Sequence, residues 1–174
     1  MENQKVLVIK LSAIGDVLAA TPIFRTLREA GYKDVDHLVM ANSQVATYKN
    51  PFIRKQIIIP TLTRHMLIQN IPKLLYCIIL LALQRYDRVY ILHRSPLLLL
   101  LSKLIFAKEI YGYWNSYSKY YNGTVKYHTN INRSAQELQV IQISGINLNP
   151  PSQLDYFGTA STLPDSVLIQ LPHA

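Results

Sequence analysis

The hydrophobic residues in the first part of the chain follow two different patterns. Residues 6–9 form a short, continuous run of branched apolar side chains, typical of a strand buried on both faces of a sheet. From about residue 16 to 30 the apolar residues recur at helical spacing, which predicts a helix. Pro22 lies inside this stretch and is expected to kink the helix or divide it in two. Gly31 is expected to end it.

The rest of the chain continues this alternation of strands and helices. A long apolar helix is expected over residues 64–84, with another break at Pro72. The alternation predicts an α/β fold with a Rossmann-like, doubly wound and mainly parallel sheet. Ligands of such sheets bind at the carboxyl ends of the strands, so residues 10–16 and 93–95 are expected to share one functional edge. Further strands are expected at residues 35–41, 56–59, 88–92, 109–113 and 167–171, and further helices at 96–106 and 134–144.

Composition limits the function classes without choosing among them. With 174 residues, 49% of them hydrophobic and 16% charged, the chain can form one good core and is not a disordered protein. It has 18 Lys and Arg against 10 Asp and Glu, a net charge of +8, and the stretch from Arg88 to Arg133 contains a single acid, Glu109. Such an excess attracts phosphates, anionic lipid headgroups or nucleic acid, and charge alone leaves these three open.

The cysteine content and the apolar runs bear on metal sites and cellular location. Cys77 is the only cysteine, and the five histidines lack metal-ligand spacing, so no metal site is predicted. The apolar stretch at residues 74–83 is about half as long as a membrane span and is expected to belong to the core. The run at residues 6–9 is too short for a signal peptide. We therefore expect a cytoplasmic protein, with peripheral contact at the inner face of the cytoplasmic membrane as an open alternative.

The segment with the most chemistry is Lys-Leu-Ser-Ala-Ile-Gly-Asp at residues 10–16. It joins a buried strand to a helix, where free backbone N–H groups attract anions. The glycine patterns of dinucleotide-binding and triphosphate-binding loops are both missing, so no such cofactor is expected. Asp16 lies at the expected functional edge, where a carboxylate can take a proton from a substrate hydroxyl. On the pattern alone, a structural role in capping the helix or complementing its dipole is the more common one.

A longer stretch carries a family resemblance. Residues 6–28, Val-Leu-Val-Ile-Lys-Leu-Ser-Ala-Ile-Gly-Asp-Val-Leu-Ala-Ala-Thr-Pro-Ile-Phe-Arg-Thr-Leu-Arg, closely resemble the opening of the ADP-heptose:lipopolysaccharide heptosyltransferases. That family opens with a strand, Lys-x-Ser-x-(hydrophobic)-Gly-Asp, and a helix containing Thr-Pro and a basic residue. Weaker similarity continues at residues 50–53, 86–95 and 132–146. The resemblance therefore covers nearly the whole chain but is strong only over the first 28 residues.

The resemblance implies one half of a GT-B glycosyltransferase, in which two Rossmann-like domains face each other. The first domain holds the acceptor and supplies the base, and the second binds the ADP-sugar donor, usually without a metal. Asp16 occupies the family's base position, where it would deprotonate an acceptor hydroxyl that attacks the anomeric carbon with inversion. The implied substrate-binding residues are Ser12, Ile14 and Gly15 around the cleft and, for the anionic groups of a lipopolysaccharide-type acceptor, Lys10 and Arg94.

The resemblance also implies a domain division. Residues 1–150 are expected to form the acceptor-side domain, and residues 151–174 a linker and the first strand of a donor-binding domain that is missing here. Members of the family are about twice as long as this chain, as two domains require. We therefore expect a truncated chain that is inactive alone. Its acceptor, transferred sugar and linkage stay open.

An aromatic stretch supports a weaker hypothesis. Six tyrosines and Trp114 lie between Tyr111 and Tyr127, interleaved with two lysines. Such side chains stack on sugars or on single-stranded nucleic acid, but tyrosines that pack a loop onto a sheet are at least as common. No RNA-recognition motif accompanies them, so nucleic acid is not an expected partner. His93 is expected to be a hydrogen-bonded structural residue.

Two functions follow from the sequence. One is a glycosyltransferase that moves a heptose or related sugar from an ADP-sugar to a lipopolysaccharide core acceptor. The other is a non-catalytic basic module that binds anionic saccharides or lipid headgroups. Both use the segment at residues 10–16, but only the enzyme needs the carboxylate of Asp16.

Overall fold

The fold is built on one parallel sheet. The structure is a computed structural model, and it describes residues 4–61, 67–146 and 154–158. The strands are β1 (Lys5–Ile9), β2 (Asp34–Met40), β3 (Lys55–Ile59), β4 (Arg88–Ile91), β5 (Glu109–Tyr113) and β6 (Gly123–Val125). They lie side by side in the order β3-β2-β1-β4-β5-β6, and every pair is parallel. The predicted Rossmann-like, doubly wound α/β fold is therefore confirmed.

The helices connect the strands as the alternation predicts. They are α1 (Ile14–Ala19), α2 (Thr21–Glu29), α3 (Leu67–Gln84), α4 (Pro96–Leu104) and α5 (Arg133–Gln142), with short 3-10 turns at Gln44–Thr47 and Ser118–Tyr120. The predicted strand at residues 109–113 has the observed bounds of β5, and the other predicted strands within the described residues agree to about one residue. The predicted strand at residues 167–171 lies outside the described residues.

The helix predicted over residues 16–30 is divided in two, as Pro22 suggested. Ala20 lies between α1 and α2, and Pro22 falls in the first turn of α2, where a missing N–H costs nothing. Gly31 follows the helix with a φ of +91°, a conformation in which glycine is favoured. The backbone N–H of Tyr32 then donates to the carbonyl of Leu27, which closes the helix end.

The secondary structure differs from the predictions at two places. α3 continues through Pro72 without the expected break. This proline lies in the second turn of the helix and removes one backbone hydrogen bond, while one side of the long apolar segment after it packs on the sheet. The sequence also missed β6, a strand of only three half-buried residues that exists because its backbone pairs with β5.

The side chains of the central strands divide the core between the two faces of the sheet. Val6 and Val8 of β1 point to one face, where α2 and α5 cover them. Leu7 and Ile9 point to the other face, beneath α3 and α4. This period of two is why a continuous apolar run marks a strand buried on both faces. Within the described residues, no helix combines the length and the hydropathy that are needed to cross a membrane.

The strand order places a cleft beside β1. The chain moves in one direction from β1 through β2 to β3, and in the other direction from β4 to β6. The carboxyl ends of β1 and β4 therefore form the topological switch point, where ligands of this fold bind. The backbone N–H of Leu11 donates to Nε2 of His93 at 2.8 Å, so the segments after the two strands meet as predicted.

Residues 154–158 pack on the body of the domain. The backbone N–H of Asp155 donates to Oγ1 of Thr21 at 2.8 Å, and its carboxylate pairs with Arg25 of α2. Leu154 and Tyr156 lie against a small apolar cluster next to α1. The division of the chain near residue 150 stays a prediction.

Two leucines of α3 allow a matched stability test of the core. Leu81 is 1% exposed and Leu83 is 71% exposed, although they lie two residues apart on the same helix. Leu81→Ala leaves a cavity under the helix and should lower the free energy of unfolding by about 2–4 kcal/mol. Leu83→Ala should change it by less than about 0.5 kcal/mol. Urea denaturation followed by circular dichroism measures both, and equal losses would contradict the packing of α3.

Candidate active site

A buried ion pair lies at the switch point. Lys10 directly follows β1, but its side chain turns inward and is 3% exposed. Its ammonium donates to the carbonyl of Leu92, which directly follows β4, and pairs with Oε1 of Glu137 on α5. Burial raises the pKa of the Glu137 carboxyl to about 7, against the opposing effect of Lys10. The pair therefore ties β1, β4 and α5 together at a single point.

A second ion pair lies closer to solvent. Asp16 is in the first turn of α1, and its side chain is 37% exposed. Nε and Nη2 of Arg133, the first residue of α5, donate to Oδ1 of Asp16 at 3.1 and 3.0 Å. Within the described part of the chain, Oδ2 of Asp16 accepts no hydrogen bond. The guanidinium therefore fixes the direction of the carboxylate and leaves one oxygen available.

Aromatic side chains lie next to the Asp16–Arg133 pair. The guanidinium carbon of Arg94 lies 4.4 Å from the ring centroid of Tyr127, and that of Arg133 lies 5.3 Å from it. Arg133 also donates to the Tyr127 hydroxyl. The ring of Tyr113 contacts Tyr127 edge to face with centroids 5.4 Å apart. Burial raises the pKa of the Tyr113 hydroxyl, which stays protonated at neutral pH.

These groups enclose a polar cavity of about 140 Å³. This volume is well below the roughly 300 Å³ at which ligand pockets usually begin, so the cavity fits part of a ligand, such as a carboxylate or phosphate. A larger cavity of about 520 Å³ between β3 and α3 has mainly apolar walls and no acid or histidine, so it offers no comparable chemistry. The smaller cavity is lined by Lys10, Asp16, Leu92, His93, Arg94, Tyr113, Tyr127 and Arg133.

The charges of the cavity do not cancel. Lys10 is neutralised by Glu137, and Arg133 by Asp16. Arg94 is exposed and, among the described residues, has no carboxylate partner. A guanidinium that is stacked but not paired is well suited to a carboxylate or phosphate of a ligand. The cavity therefore combines one available anion-binding group with one available carboxylate oxygen.

Two neutral histidines support the segment at residues 10–16. Burial, followed by the charge of Lys10, lowers the pKa of His93 to about 4, so Nε2 can accept from the Leu11 N–H at neutral pH. Burial lowers the pKa of His37 to about 3. Its ring nitrogens lie 3.2 Å from the Lys10 carbonyl and 3.1 Å from the Thr47 hydroxyl. His93 thus has the hydrogen-bonded structural position that the sequence indicates.

The predicted site residues fall into two groups. Lys10, Asp16 and Arg94 all line the cavity. Ser12, Ile14 and Gly15 are half-buried beside it and do not line it. The Ile14 side chain packs instead against the small apolar cluster next to α1. Substrate contacts of these three residues stay predictions.

Sequence reasoning missed the two α5 residues of the site. Arg133 is a cation in the first turn of a helix, where the helix dipole disfavours it, and this placement is a signal that it has a special partner. Glu137 follows four residues later, hence on the same face of the helix. The tyrosine-rich stretch is divided between the core, the cavity and the surface, and stacking on a ligand stays a prediction. Tyr111 and Tyr113 are buried, Tyr127 lines the cavity, and Trp114, Tyr117 and Tyr120 are exposed.

Within residues 4–61, 67–146 and 154–158, no three His, Cys, Asp or Glu side chains are grouped so that they could hold a metal ion.

Solved glycosyltransferases have a similar fold. The glycosyl transferase family 9 protein from Veillonella parvula superposes with a TM-score of 0.76 at 18% identity, over 92% of this chain and 47% of its own. Escherichia coli heptosyltransferase WaaC, solved with ADP-2-deoxy-2-fluoro heptose, gives 0.69 at 19% identity, over 88% and 52%. The chain shares the fold of these glycosyltransferases. It spans about half the length of each.

A third structure, E. coli ADP-heptose lps heptosyltransferase II, gives a TM-score of 0.59 at 18% identity, over 93% of this chain and 44% of its own. No protein-family profile matches the chain, and no curated protein matches it in sequence. The three structural matches confirm the resemblance to heptosyltransferases at the level of the fold.

The buried pair predicts strong coupling between Lys10 and Glu137. Lys10→Met leaves a buried carboxylate without its cation and should lower the free energy of unfolding at pH 8 by about 3–5 kcal/mol. Lys10→Met/Glu137→Leu removes both charges and should recover most of this loss. A double-mutant cycle by urea denaturation measures the coupling. Additive losses would show that the two side chains do not form a pair.

His37 predicts a specific acid sensitivity. Below pH 6.5 the unfolded chain protonates this side chain, whereas the folded chain does so only near pH 3. The unfolded state therefore binds more protons, and His37 should lower the free energy of unfolding by about 1.4 kcal/mol per pH unit from about pH 6 to 4. His93 adds to this slope and Glu137 opposes it, so the wild type is compared with His37→Gln.

Urea denaturation at several pH values should give a flatter slope for His37→Gln. His128→Gln changes an exposed histidine and is the matched control, with the wild-type slope expected. The same flattening in both variants would mean that His37 is not held neutral.

Proposed function

We propose that the chain is the acceptor-binding half of an inverting glycosyltransferase of the heptosyltransferase type. The complete two-domain enzyme transfers a heptose or related sugar from an ADP-sugar to an anionic lipopolysaccharide-type acceptor in the cytoplasm. The observation that carries the proposal is the Asp16 carboxylate, directed by Arg133 into a positively charged cavity at the switch point. The segment that holds Asp16 is also the one that resembles the family most closely.

Asp16 acts as the general base in this proposal. Arg133 occupies Oδ1, so the other oxygen is available to an acceptor hydroxyl within hydrogen-bond distance. As the proton passes to Asp16, the hydroxyl oxygen attacks the anomeric carbon from the face opposite the leaving group. The bond to the diphosphate breaks with its electron pair, and ADP leaves. The configuration at the anomeric carbon is thereby inverted.

Arg94 binds the anionic group of the acceptor. It is the exposed cation of the cavity, and stacking on Tyr127 limits the directions in which its guanidinium can point. Lys10, the other anion-binding candidate from the sequence, has its ammonium buried against Glu137 and the Leu92 carbonyl. We therefore assign Lys10 a positioning role rather than direct contact with the acceptor.

The donor is assigned to a second domain. Solved structures of WaaC contain ADP or an ADP-heptose analogue, which makes an ADP-sugar the donor class to test. Following the sequence, we place that domain after residue 150. Transfer then requires both domains, because neither alone brings the acceptor hydroxyl to the sugar.

A non-catalytic binding module is the second candidate. The same Asp16–Arg133 pair favours it, because an Asp16 that only anchors α5 needs no reacting substrate. Such a module would keep the cation of Arg94 for an anionic saccharide or headgroup. The two candidates differ in whether the Asp16 carboxylate is needed for chemistry.

Asp16→Asn separates the two candidates. Amide replacement keeps the size of the side chain and removes the base, so kcat should fall at least about 100-fold while the acceptor dissociation constant changes less than about threefold. Transfer is measured as ADP release from ADP-heptose by the chain fused after residue 150 to the donor domain of a solved heptosyltransferase. Binding of a deacylated lipopolysaccharide core oligosaccharide is measured by calorimetry on the 174-residue chain.

Arg94→Gln and Arg28→Gln are the matched binding variants. The first should weaken acceptor binding about tenfold, since a charge-assisted hydrogen bond is lost. The second changes an exposed arginine of α2 and should have no effect. If the wild-type chain binds the acceptor but its fusion to the donor domain transfers no sugar, the non-catalytic binding module is favoured. Loss of binding and transfer together in Asp16→Asn would contradict the base role, and absence of acceptor binding in the wild type would reject the proposal.

A further inference from the structure

α3, α4 and the turn after α4 present an unusual apolar surface, here called the outer face. Together they carry more than half of the exposed large apolar side chains in the described part of the chain. Leu75, Ile79 and Leu83 recur every four residues along α3 and are 55–71% exposed. On α4, Leu97 and Leu100 are 72% and 55% exposed. This spacing gives each helix an apolar stripe directed away from the sheet.

The outer face is not a poorly packed core. The opposite sides of the same helices are well buried, with Leu81 of α3 and Leu99 of α4 packed on the sheet. The outward leucines and isoleucines are therefore additional to what the core uses. Apolar surface of this extent on a folded protein marks a contact with a partner or a membrane.

The charges around the outer face favour an anionic partner. Lys73, Arg85 and Lys103 are exposed on the same helices or at their ends and form no ion pair among the described residues. The acids nearest in sequence, Asp87 and Glu109, are both paired with cations. Residues 37–86 contain no acid at all. A protein partner with the usual mixed charges gains little here, whereas an anionic surface gains from every cation.

We propose that the outer face docks the protein onto an anionic phospholipid bilayer. Leucine and isoleucine stripes bordered by lysine and arginine are the composition of helices that lie in the membrane interface. Phe106, in the turn after α4, is 77% exposed and adds an aromatic side chain that can insert between headgroups. The lysines meet the lipid phosphates while the apolar stripes reach the acyl region.

The cavity between β3 and α3 extends the same surface. It has a volume of about 520 Å³ and mainly apolar walls, and Tyr76 and Leu80 belong both to it and to the exposed side of α3. Lys55 and Lys73 line it as well. An acyl chain in this groove would have its phosphate beside two ammonium groups, which matches the chemistry of a phospholipid.

The outer face also adjoins the candidate active site. α4 begins at Pro96, two residues after Arg94, so one end of the face lies next to the cavity that holds Asp16. A bilayer on this face would bring molecules anchored in its surface to the cavity. The inference goes beyond the proposed function and does not depend on it, because lipid binding can be measured without any sugar.

Vesicle co-sedimentation of the 174-residue chain tests the inference. The wild type should bind vesicles of equimolar phosphatidylglycerol and phosphatidylcholine at least about tenfold more strongly than pure phosphatidylcholine, and less strongly as salt increases. Leu83→Gln/Leu97→Gln/Phe106→Gln should weaken binding to the anionic vesicles at least about tenfold, since three apolar side chains no longer insert. The matched control is Tyr48→Gln/Ile131→Gln/Ile143→Gln, which changes exposed apolar residues elsewhere and should alter binding less than about twofold.

Circular dichroism and thermal melting establish that the variants are folded. Leu97→Gln alone, with an expected loss of about threefold, replaces the triple variant if that variant unfolds. Absence of binding to anionic vesicles overturns the inference, and so does an equal loss in the control variant. A dimer in light scattering that the outer-face variant converts to a monomer, without vesicle binding by the wild type, would instead assign the face to a second copy of the chain.

Discussion

The candidate site depends on the buried ion pair between Lys10 and Glu137. The Lys10 ammonium also donates to the carbonyl of Leu92. One side chain therefore connects three elements: the ends of β1 and β4, which flank the switch point, and α5. Once Glu137 is fixed, the position of Arg133 one turn earlier on the same helix is fixed as well. Arg133 then directs the carboxylate of Asp16. The orientation of the solvent-facing acid is therefore set by a charge pair in the interior, across more than one hundred residues of sequence.

This arrangement explains why so many charges can lie around a small cavity. Lys10, Glu137, Arg133 and Asp16 alternate in sign along the chain of contacts, so each buried or half-buried charge has its opposite beside it. The pair with the lowest exposure lies deepest, where an unpaired charge would cost most. Arg94 lies at the open side, where water or a ligand can solvate it. The neutral His37 and His93 add hydrogen bonds to the same segment without adding charge.

The sequence predicted those parts of the fold and site that depend on local pattern. The apolar run before Lys10 defines β1. Asp16 follows β1 and Arg94 follows β4, and the carboxyl ends of neighbouring parallel strands lie at the same edge of the sheet. Arg133 and Glu137 could not be assigned in this way. Their partners lie more than one hundred residues away, and only the packing of α5 on the sheet brings them together. β6 was missed for a related reason, since three residues without an apolar run form a strand only through pairing with β5.

α3 shows a different limit of sequence patterns. Its composition is apolar almost all round, which usually indicates a fully buried helix, and the sequence placed residues 74–83 in the core. In the structure the helix packs on a sheet that it can touch on one side only, so Leu81 is buried while Leu83, two residues later, faces solvent. The exposed side of a surface helix usually carries polar residues at helical spacing, and α3 has apolar residues there instead. Two adjacent helices keep apolar side chains where solubility favours polar ones, and the acids that would repel an anionic surface are missing from the same stretch. Both features are accounted for together if the outward side of α3 and α4 is itself a binding surface, next to the edge at which the charged cavity opens.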